Sequence, residues 1–474
     1  MIQFGTGGWR ALIGEDFTRD NVRILAQGLA NTIRSGGRGE EGFVIGYDRR
    51  FLSDKAAVWF AEVMAANGIK VYFIEKIAPT PLIMFTVKNM SVRYGAAVTA
   101  SHNPADYNGV KIFTEGGRDA SVEAVQEIEY AVRAVGADGV KSLDFGKALA
   151  DGAVVKIDPF NDYIDSVLSM IDTAAIRSRG LKVLLDPMFG VSKTCLQTVL
   201  ITARCELDVI NDRHDTLFGG RLPSPSSHTL HKLADLVAEK GYDLGIGTDG
   251  DADRLGIVDE KGEFIHPNSI LVVLYYYLLK YKKWKGGVVR NLATTHLLDR
   301  IADAFGEECH EVPVGFKHIS AAMEGKNALL GGESSGGLTI RGHIRGKDGV
   351  FAAALLVELL SVTGRSLSGL LEDIGREFGY FYMEEADFRL TDAERERISR
   401  LLFRQKLVPG FRHVIRKVSY MDGLKVYFEN GGWIVARFSG TEPLLRIFAE
   451  MDSRAEAAAV LAEMKAFLNM EPEH

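Results

Sequence analysis

Three aspartates alternate in Gly247-Thr-Asp-Gly-Asp-Ala-Asp-Arg254. In an extended segment, positions i, i+2 and i+4 point to one side, so Asp249, Asp251 and Asp253 are expected to converge. Three like charges at one point are costly without a cation. Oxygen-only ligands suit a hard ion, and Mg²⁺ is favoured over Ca²⁺ where the protein supplies few ligands and a phosphate supplies another. An EF-hand also opens with alternating aspartates, but it continues with Gly and a later Glu between helices. Here Leu255-Gly-Ile-Val258 is apolar and strand-like. A solvated acidic turn is the other alternative. Arg254, beside the trio, would suit a phosphate bound to the metal.

A second loop, Thr99-Ala-Ser-His-Asn-Pro104, directly follows a predicted strand. Its small residues let the backbone approach a ligand, and Ser101 stands at a strand end, where α/β proteins bind ligands. A serine needs an activating base or an electrophilic partner to act as nucleophile. His102 is adjacent but not placed by sequence to be that base, and a plain turn without chemistry stays open for this loop alone. Lys111, in Asn108-Gly-Val-Lys-Ile-Phe113, can supply a compact cation or a proton. The N-terminal Gly5-Thr-Gly-Gly-Trp-Arg10 lacks the Gly-Lys-Ser/Thr ending of a P-loop, yet Arg10 is a plausible phosphate contact.

Two further loops complete the set. Gly331-Gly-Glu-Ser-Ser-Gly-Gly337 offers Glu333 and Ser335 in a frame that can approach a sugar, with Lys317 and His318 near a predicted helix start. Arg437-Phe-Ser-Gly-Thr-Glu-Pro443, with Arg446 beyond it, places two arginines, the Ser439 and Thr441 hydroxyls and the N–H groups around Gly440 together. That is a good nest for a phosphate.

The elements that must position these loops follow from hydrophobic patterning. Short apolar β-branched runs alternate with amphipathic stretches, the pattern of α/β layers. Strands are predicted over 43–47, 71–74 and 95–99, with helices over 21–34, 54–67 and 121–135. A second unit has strands over 183–186, 207–210 and 244–247. A third has a helix over 267–281, strands over 288–291 and 328–331, and a helix over 348–362. The last hundred residues differ: 425–428, 433–438 and 445–450 alternate like antiparallel strands, followed by a helix over 454–468. The expected fold is therefore three α/β units and one smaller α+β unit, in keeping with a length of 474 residues.

Composition narrows the function. The chain is 46% hydrophobic and 25% charged, as globular proteins are. A net charge of −7 argues against nucleic acid or an anionic membrane as partner. Cys195, Cys205 and Cys309 are too few and scattered for a disulfide framework or a zinc site, and suit a reducing cytoplasm. No signal peptide is visible, and the longest apolar run, Ile270–Leu279, is about half a bilayer span and reads as a buried helix.

Together the four loops resemble those of the α-D-phosphohexomutase family, over nearly the whole chain and in the family's order. The closest likeness is to bacterial phosphoglucomutase/phosphomannomutase. The resemblance implies three similar mixed α/β domains plus a smaller C-terminal α+β domain around a central cleft. Their bounds would be 1–157 with the phosphoserine loop, 158–259 with the metal loop, 260–378 with the sugar loop and 379–474 with the phosphate loop. It implies that Ser101 carries the phosphoryl group, and that Asp249, Asp251 and Asp253 bind Mg²⁺ together with the seryl phosphate. Arg10, Lys111 and Arg254 would surround the transferring group, with His102 a further catalytic candidate. Lys317, Glu333, Ser335 and His318 would bind the sugar. Arg437, Ser439, Gly440, Thr441 and Arg446 would hold the distal phosphate.

Gly342-His-Ile-Arg-Gly-Lys-Asp-Gly349 resembles the segment of phosphoglucomutases whose lysine is a candidate acid/base, here Lys347. The histidine ending the corresponding sugar loop of many phosphomannomutases is replaced by Gly337, and Gly7 departs from the usual Asp or Ser. The expectation is a cytoplasmic, monomeric or homodimeric phosphoglucomutase that acts on hexose phosphates through a hexose 1,6-bisphosphate, which also activates it. A phosphomannomutase or dual-specificity enzyme is the runner-up. Glucosamine phosphate mutase, a Mg²⁺-dependent sugar-phosphate phosphatase and a non-catalytic sugar-phosphate sensor follow.

Overall fold

Strands buried on both faces read as continuous apolar runs, because neither face meets water. Phe43–Tyr47 and Tyr94–Val98 are such strands and lie at the centre of the first sheet. A computed structural model describes residues 2–5, 7–37, 41–136, 139–440 and 443–470. The chain divides into two compact units, Met1–Ile270 with Ser335–Gly369, and Leu271–Ser334 with Leu370–His474.

The first unit holds two sheets. In one, Tyr94–Val98, Phe43–Tyr47, Val71–Ile74 and Val154–Ile157 run parallel in that order. Tyr107–Thr114 then pairs antiparallel with Tyr94–Val98, and Gly8–Leu12 antiparallel with Tyr107–Thr114. Helices Arg19–Ser35, Ser53–Ala66 and Val122–Arg133 pack with them into one core around Leu25, Leu29, Phe43, Phe60 and Ile128. Thr18 starts the first helix by accepting a hydrogen bond from the Asn21 N–H. Helix Thr80–Asn89 packs on strands Phe43–Tyr47 and Tyr94–Val98.

In the second sheet, Glu206–Val209, Lys182–Asp186 and Leu244–Thr248 are parallel, and Leu255–Val258 and Phe264–Ile265 extend it antiparallel. Helix Gly349–Thr363 is buried from Gly349 through Leu360, capped at its start by Asp348. Among the described residues no single helix is long and apolar enough to cross a membrane.

In the second unit, Cys309–Val312, Val288–Asn291 and Leu330–Gly332 form parallel pairs. An antiparallel sheet runs Tyr382–Arg389, Leu444–Met451, Trp433–Phe438, Leu424–Phe428, Ile415–Ser419. Helix Arg454–Phe467 covers it through Ala457, Val460, Leu461 and Met464.

The predicted elements reappear with ends that agree to within two residues, as strand 43–47 is Phe43–Tyr47, helix over 267–281 becomes Pro267–Lys280 and strand 328–331 becomes Leu330–Gly332. Several were missed. Tyr107–Thr114 is an eight-residue strand whose pattern is broken by buried Asn108 and Lys111. Outer strands Tyr382–Arg389 and Ile415–Ser419 carry many exposed charged residues and gave no apolar signal.

Candidate active site

The serine loop begins where strand Tyr94–Val98 ends. Ser101 is buried and takes a left-handed backbone conformation, φ +55°. Its Oγ donates to Asp249 Oδ2 at 2.9 Å, which brings the first two sequence motifs together. His102 Nδ1 lies 3.4 Å from the same Oγ. Burial, then the charges of Arg254 and Arg10, push the imidazole well below its usual range. It is therefore a neutral hydrogen-bonding group rather than a strong base.

The three carboxylates do converge, with ligand oxygens within 4.8 Å of one another, but not by strand alternation. The segment is a turn: the Ala252 N–H donates to the Asp249 carbonyl at 3.0 Å, and Ala252 has φ +62°. The backbone folds the aspartates inward between strands Leu244–Thr248 and Leu255–Val258. Asp251 Oδ2 accepts from Thr80 Oγ1 and from Lys111 Nζ, each at 2.6 Å. Asp253 Oδ2 accepts from Lys111 Nζ at 2.6 Å and pairs with Lys347 Nζ at 3.0 Å.

Burial and the charges of Asp251 and Asp253 push Asp249 well above the carboxylate range. Burial works the same way on Asp253, but Lys111, Lys347 and Arg254 outweigh it and hold that carboxyl well below. Lys111 is the mirror case: burial favours the neutral amine, Asp251 and Asp253 outweigh it, and the ammonium is retained. Asp251 Oδ1 and Asp253 Oδ1 are buried without a hydrogen-bond partner. Two buried carboxylate oxygens that make no hydrogen bond, beside the carboxyl of Asp249, fit a hard divalent cation.

Around this centre Arg10 Nη1 donates to Asn103 Oδ1 at 2.6 Å. Lys347 reaches Asp253 by passing over Gly337, where an added Cβ would lie 2.3 Å from Lys347 Cδ. Asp348 anchors the Lys347 loop. Its Oδ1 caps the Phe351 N–H, and its Oδ2 accepts from Tyr163 OH at 2.7 Å and meets His343 Nε2 at 2.6 Å.

The remaining candidates, except exposed Ser335 in the first unit, belong to the second unit. Lys317 and His318 stand in the first turn of helix Phe316–Lys326, after Gly315 with φ +125°. Glu333 Oε1 accepts from the Gly315 N–H at 3.1 Å, which joins the sugar loop to that helix start. Arg437 and Arg446 are directly opposed across neighbouring antiparallel strands. Like charges in register repel, and an anion relieves them. Asp422 lies 3.3 Å from Arg437 and also accepts from the Val314 N–H at 3.0 Å, tying this strand pair to the Gly315 turn. The buried Ser439 follows, its N–H bonded to the Leu444 carbonyl at 2.8 Å, with exposed Gly440 next. Thr441 lies outside the described residues.

Family models of phosphoglucomutase/phosphomannomutase match the chain in order: α/β/α domain I over residues 1–137, domain II over 161–262, domain III over 266–378 and the C-terminal domain over 404–467. The chain belongs to the phosphoglucomutase/phosphomannomutase family. A Thermococcus kodakarensis phosphoglucomutase/phosphomannomutase is 28% identical over 463 residues, covering 97% of this chain and 96% of the relative. A Sulfurisphaera tokodaii phosphoglucosamine/phosphogalactosamine mutase is 27% identical over 465 residues, with 98% of each covered. In structure, a phosphoglucomutase/phosphomannomutase family protein of Burkholderia thailandensis superposes with a TM-score of 0.84 at 23% identity, covering 99% of this chain and 98% of that one. The four-domain architecture and the enzyme class, an intramolecular phosphotransferase of hexose phosphates, are those of the family.

Sequence reasoning missed several groups of this phosphohexomutase centre. Thr80 begins helix Thr80–Asn89, which was not predicted, and lies 171 positions from the Asp251 it bonds. Tyr163 and His343, which hold Asp348, were not among the expected site residues. Asp48 and Arg50, charged residues just past strand Phe43–Tyr47 and buried, carried a usable signal, since charge at a strand's carboxyl end marks a ligand crevice.

Proposed function

We propose that the chain is a phosphoglucomutase interconverting glucose 1-phosphate and glucose 6-phosphate through a phosphoserine at Ser101 and a hexose 1,6-bisphosphate. The observation that carries this is the Ser101 Oγ, 2.9 Å from Asp249 in a buried carboxylate trio ringed by cations. A hydrolase needs no second phosphate nest, whereas the opposed Arg437 and Arg446 would form one in this reading.

In this reading residues 1–157 carry the serine, 158–259 the metal loop, 260–378 the sugar loop and 379–474 the phosphate loop. Asp249, Asp251 and Asp253 would hold Mg²⁺, which supplies neutralising charge to the seryl phosphate. That phosphate carries about −1.5 to −2 charges at neutral pH. Arg10 and Arg254 balance its oxygens, with His102 as a neutral hydrogen-bonding group beside them. Lys111, its proton held by two aspartates, serves as a fixed charge. Lys347, which pairs with Asp253 at 3.0 Å, is the acid/base of this reading. As the neutral amine it takes the proton of the attacking sugar hydroxyl while the Ser101 Oγ–phosphorus bond breaks and the sugar oxygen–phosphorus bond forms. The proton it has accepted is passed on to Oγ, which leaves the amine ready for the next transfer.

Lys317, Glu333, Ser335 and His318 would orient the sugar. Arg437, Ser439, Gly440, Thr441 and Arg446 would hold the phosphate that is not reacting. The bisphosphate then turns over and returns its other phosphate to Ser101.

Glucose is favoured over mannose by Lys347 and Gly337 together. The lysine stem fills the space beside Gly337, where many phosphomannomutases have histidine. The test is a coupled assay on glucose 1-phosphate with and without glucose 1,6-bisphosphate, run beside mannose 1-phosphate and glucosamine 1-phosphate. Bisphosphate-dependent turnover with the highest kcat/KM on glucose 1-phosphate is expected. A higher value on mannose or glucosamine phosphate would reassign the substrate.

A further inference from the structure

Ser101 holds a left-handed backbone conformation, which an L-residue adopts only against a steric cost at its Cβ. A loop of small residues would relax from it unless both flanking peptide groups were held. They are. The Ser101 N–H donates to Thr99 Oγ1 at 2.8 Å, and its carbonyl accepts from Arg50 Nη2 at 2.7 Å. The same guanidinium nitrogen donates to the Asn103 carbonyl at 2.6 Å. Its partner Nη1 donates to the carbonyls of Pro104 and Tyr107, at 2.7 and 3.1 Å. One planar fork thus gathers four carbonyls, three from the serine loop and one from the start of the strand that follows it.

The fork is itself fixed. Asp48 Oδ2 lies 3.5 Å from Arg50 Nε and accepts from Thr99 Oγ1 at 2.6 Å. Asp48 Oδ1 accepts from the Arg50 N–H at 2.9 Å and from Ser53 Oγ at 2.8 Å. The Phe218 ring supports the guanidinium from 4.8 Å. Asp48, Thr99, Ser101 and Arg50 therefore form a closed, buried ring, hydrogen-bonded throughout, with the Asp48 link made to the Arg50 backbone N–H and the guanidinium held to Asp48 by the ion pair. The metal loop crosses the same carbonyl, because a Cβ on Gly250 would lie 2.7 Å from the Ser101 oxygen. A lysine at position 50 offers a point charge that cannot bond four carbonyls in fixed directions.

We propose that Arg50, seated by Asp48 and linked through Thr99, is the positioning residue of the nucleophile, aiming Ser101 Oγ and the phosphate it carries at the carboxylate trio. The inference rests on the phosphoserine reading, and the wild-type arm of the experiment tests that reading separately.

Full-length wild type, Arg50→Lys, Arg50→Gln and Thr99→Val are treated with glucose 1,6-bisphosphate and Mg²⁺. Four quantities are then read: phosphate on Ser101 by mass spectrometry, the ³¹P resonance of the seryl phosphate, kcat and KM for glucose 1-phosphate, and Tm. Misplacing a reacting atom by about 1 Å costs about 100-fold, so Arg50→Lys should lose about that in kcat with KM changed less than about threefold. Its ³¹P line should move towards that of a mobile phosphoserine. Thr99→Val, which keeps the guanidinium, should show the same split at about tenfold. A folded Arg50→Lys enzyme with wild-type kcat, or a kcat loss equal to its loss of folded fraction with the ³¹P line unmoved, overturns the proposal. If both Arg50 variants fail to fold, a Thr99→Val enzyme with wild-type kcat and resonance overturns it. Wild type that takes no phosphate on Ser101 refutes the phosphoserine reading before any variant is compared.

Discussion

Replacing Gly337 by alanine should disable Lys347 without unfolding the protein. The new Cβ would lie 2.3 Å from Lys347 Cδ and 2.8 Å from its Cγ. Carbon atoms rest at about 3.5–4.0 Å, so the lysine stem must retreat by a little over ~1 Å. Lys347 Nζ is 3.0 Å from Asp253 Oδ2, and such a retreat breaks that contact. The stem is flexible, so the protein gives way there rather than in its backbone. A 1 Å displacement of a reacting group costs about 100-fold in rate, or about 2.7 kcal/mol of barrier. The assay is kcat for glucose 1-phosphate in wild type, Gly337→Ala, Lys347→Ala and the double variant. If Gly337 acts only by leaving room for Lys347, the double variant matches Lys347→Ala, and the cycle returns a coupling of about 2.7 kcal/mol. Losses that multiply in the double variant would refute this reasoning. So would a Gly337→Ala enzyme with wild-type kcat.

Asp251→Asn removes one charge from the trio, and Mg²⁺ affinity should fall by more than the ~10–100-fold typical of losing a group behind a metal ligand. Titration of the apo protein checks it, and EDTA-treated wild type with full activity would contradict it. Arg437→Ala loses charge-assisted hydrogen bonds of about 1.5–3 kcal/mol to the distal phosphate. It should lower kcat/KM about 10–100-fold in both directions, while decay of the seryl phosphate in water stays unchanged. Equal slowing of both would place Arg437 elsewhere. In the second unit Glu311 accepts from Arg290 and Lys425, each at 2.6 Å; Glu311→Ala leaves Arg290 its two bonds to Asp299 but removes the carboxylate partner of buried Lys425, and should cost about 3 kcal/mol. Lys425→Met should cost less, since Arg290 still pairs with Glu311, and urea unfolding compares the two. Burial, with Arg290 and Lys425, pushes His296 down to about 3, whereas an unfolded histidine titrates near ~6.5. The unfolded chain binds more protons between those values, so stability should fall as pH drops from about 6.5 towards 3. A urea midpoint that does not move across that window would contradict this.

Groups that share a short stretch of chain were legible in the sequence, because their types and spacing are chemistry in themselves. Asp249, Asp251 and Asp253 are one case, and Arg437 with Ser439 and Gly440 another. Their shape was not legible: the aspartates converge through a turn with Ala252 left-handed, and a spacing of two cannot distinguish that from a strand. Lys111 was found by its motif but hid its own strand, since a buried lysine breaks the apolar pattern by which strands are read. Thr80, Asp48 and Arg50 were invisible as partners because the contacts joining them to the site span 51 to 171 positions. The ion cluster of Arg290, Glu311 and Lys425 comes from three separate strands, each of which supplies one of the three charges, so no short stretch of chain shows the cluster.

The central claim is that the phosphoryl group passes through Ser101, and a phosphate mapped on the working enzyme tests it most directly. Purified wild type, mixed with glucose 1,6-bisphosphate and Mg²⁺, is quenched and analysed by intact mass and peptide fragmentation. The same is done after a chase with glucose 1-phosphate, beside Ser101→Ala. One phosphate on Ser101, lost to the sugar during the chase, and a Ser101→Ala protein that is folded but takes no phosphate and does not turn over, is the predicted result. Turnover in Ser101→Ala, or a phosphate that maps to another residue, would contradict it.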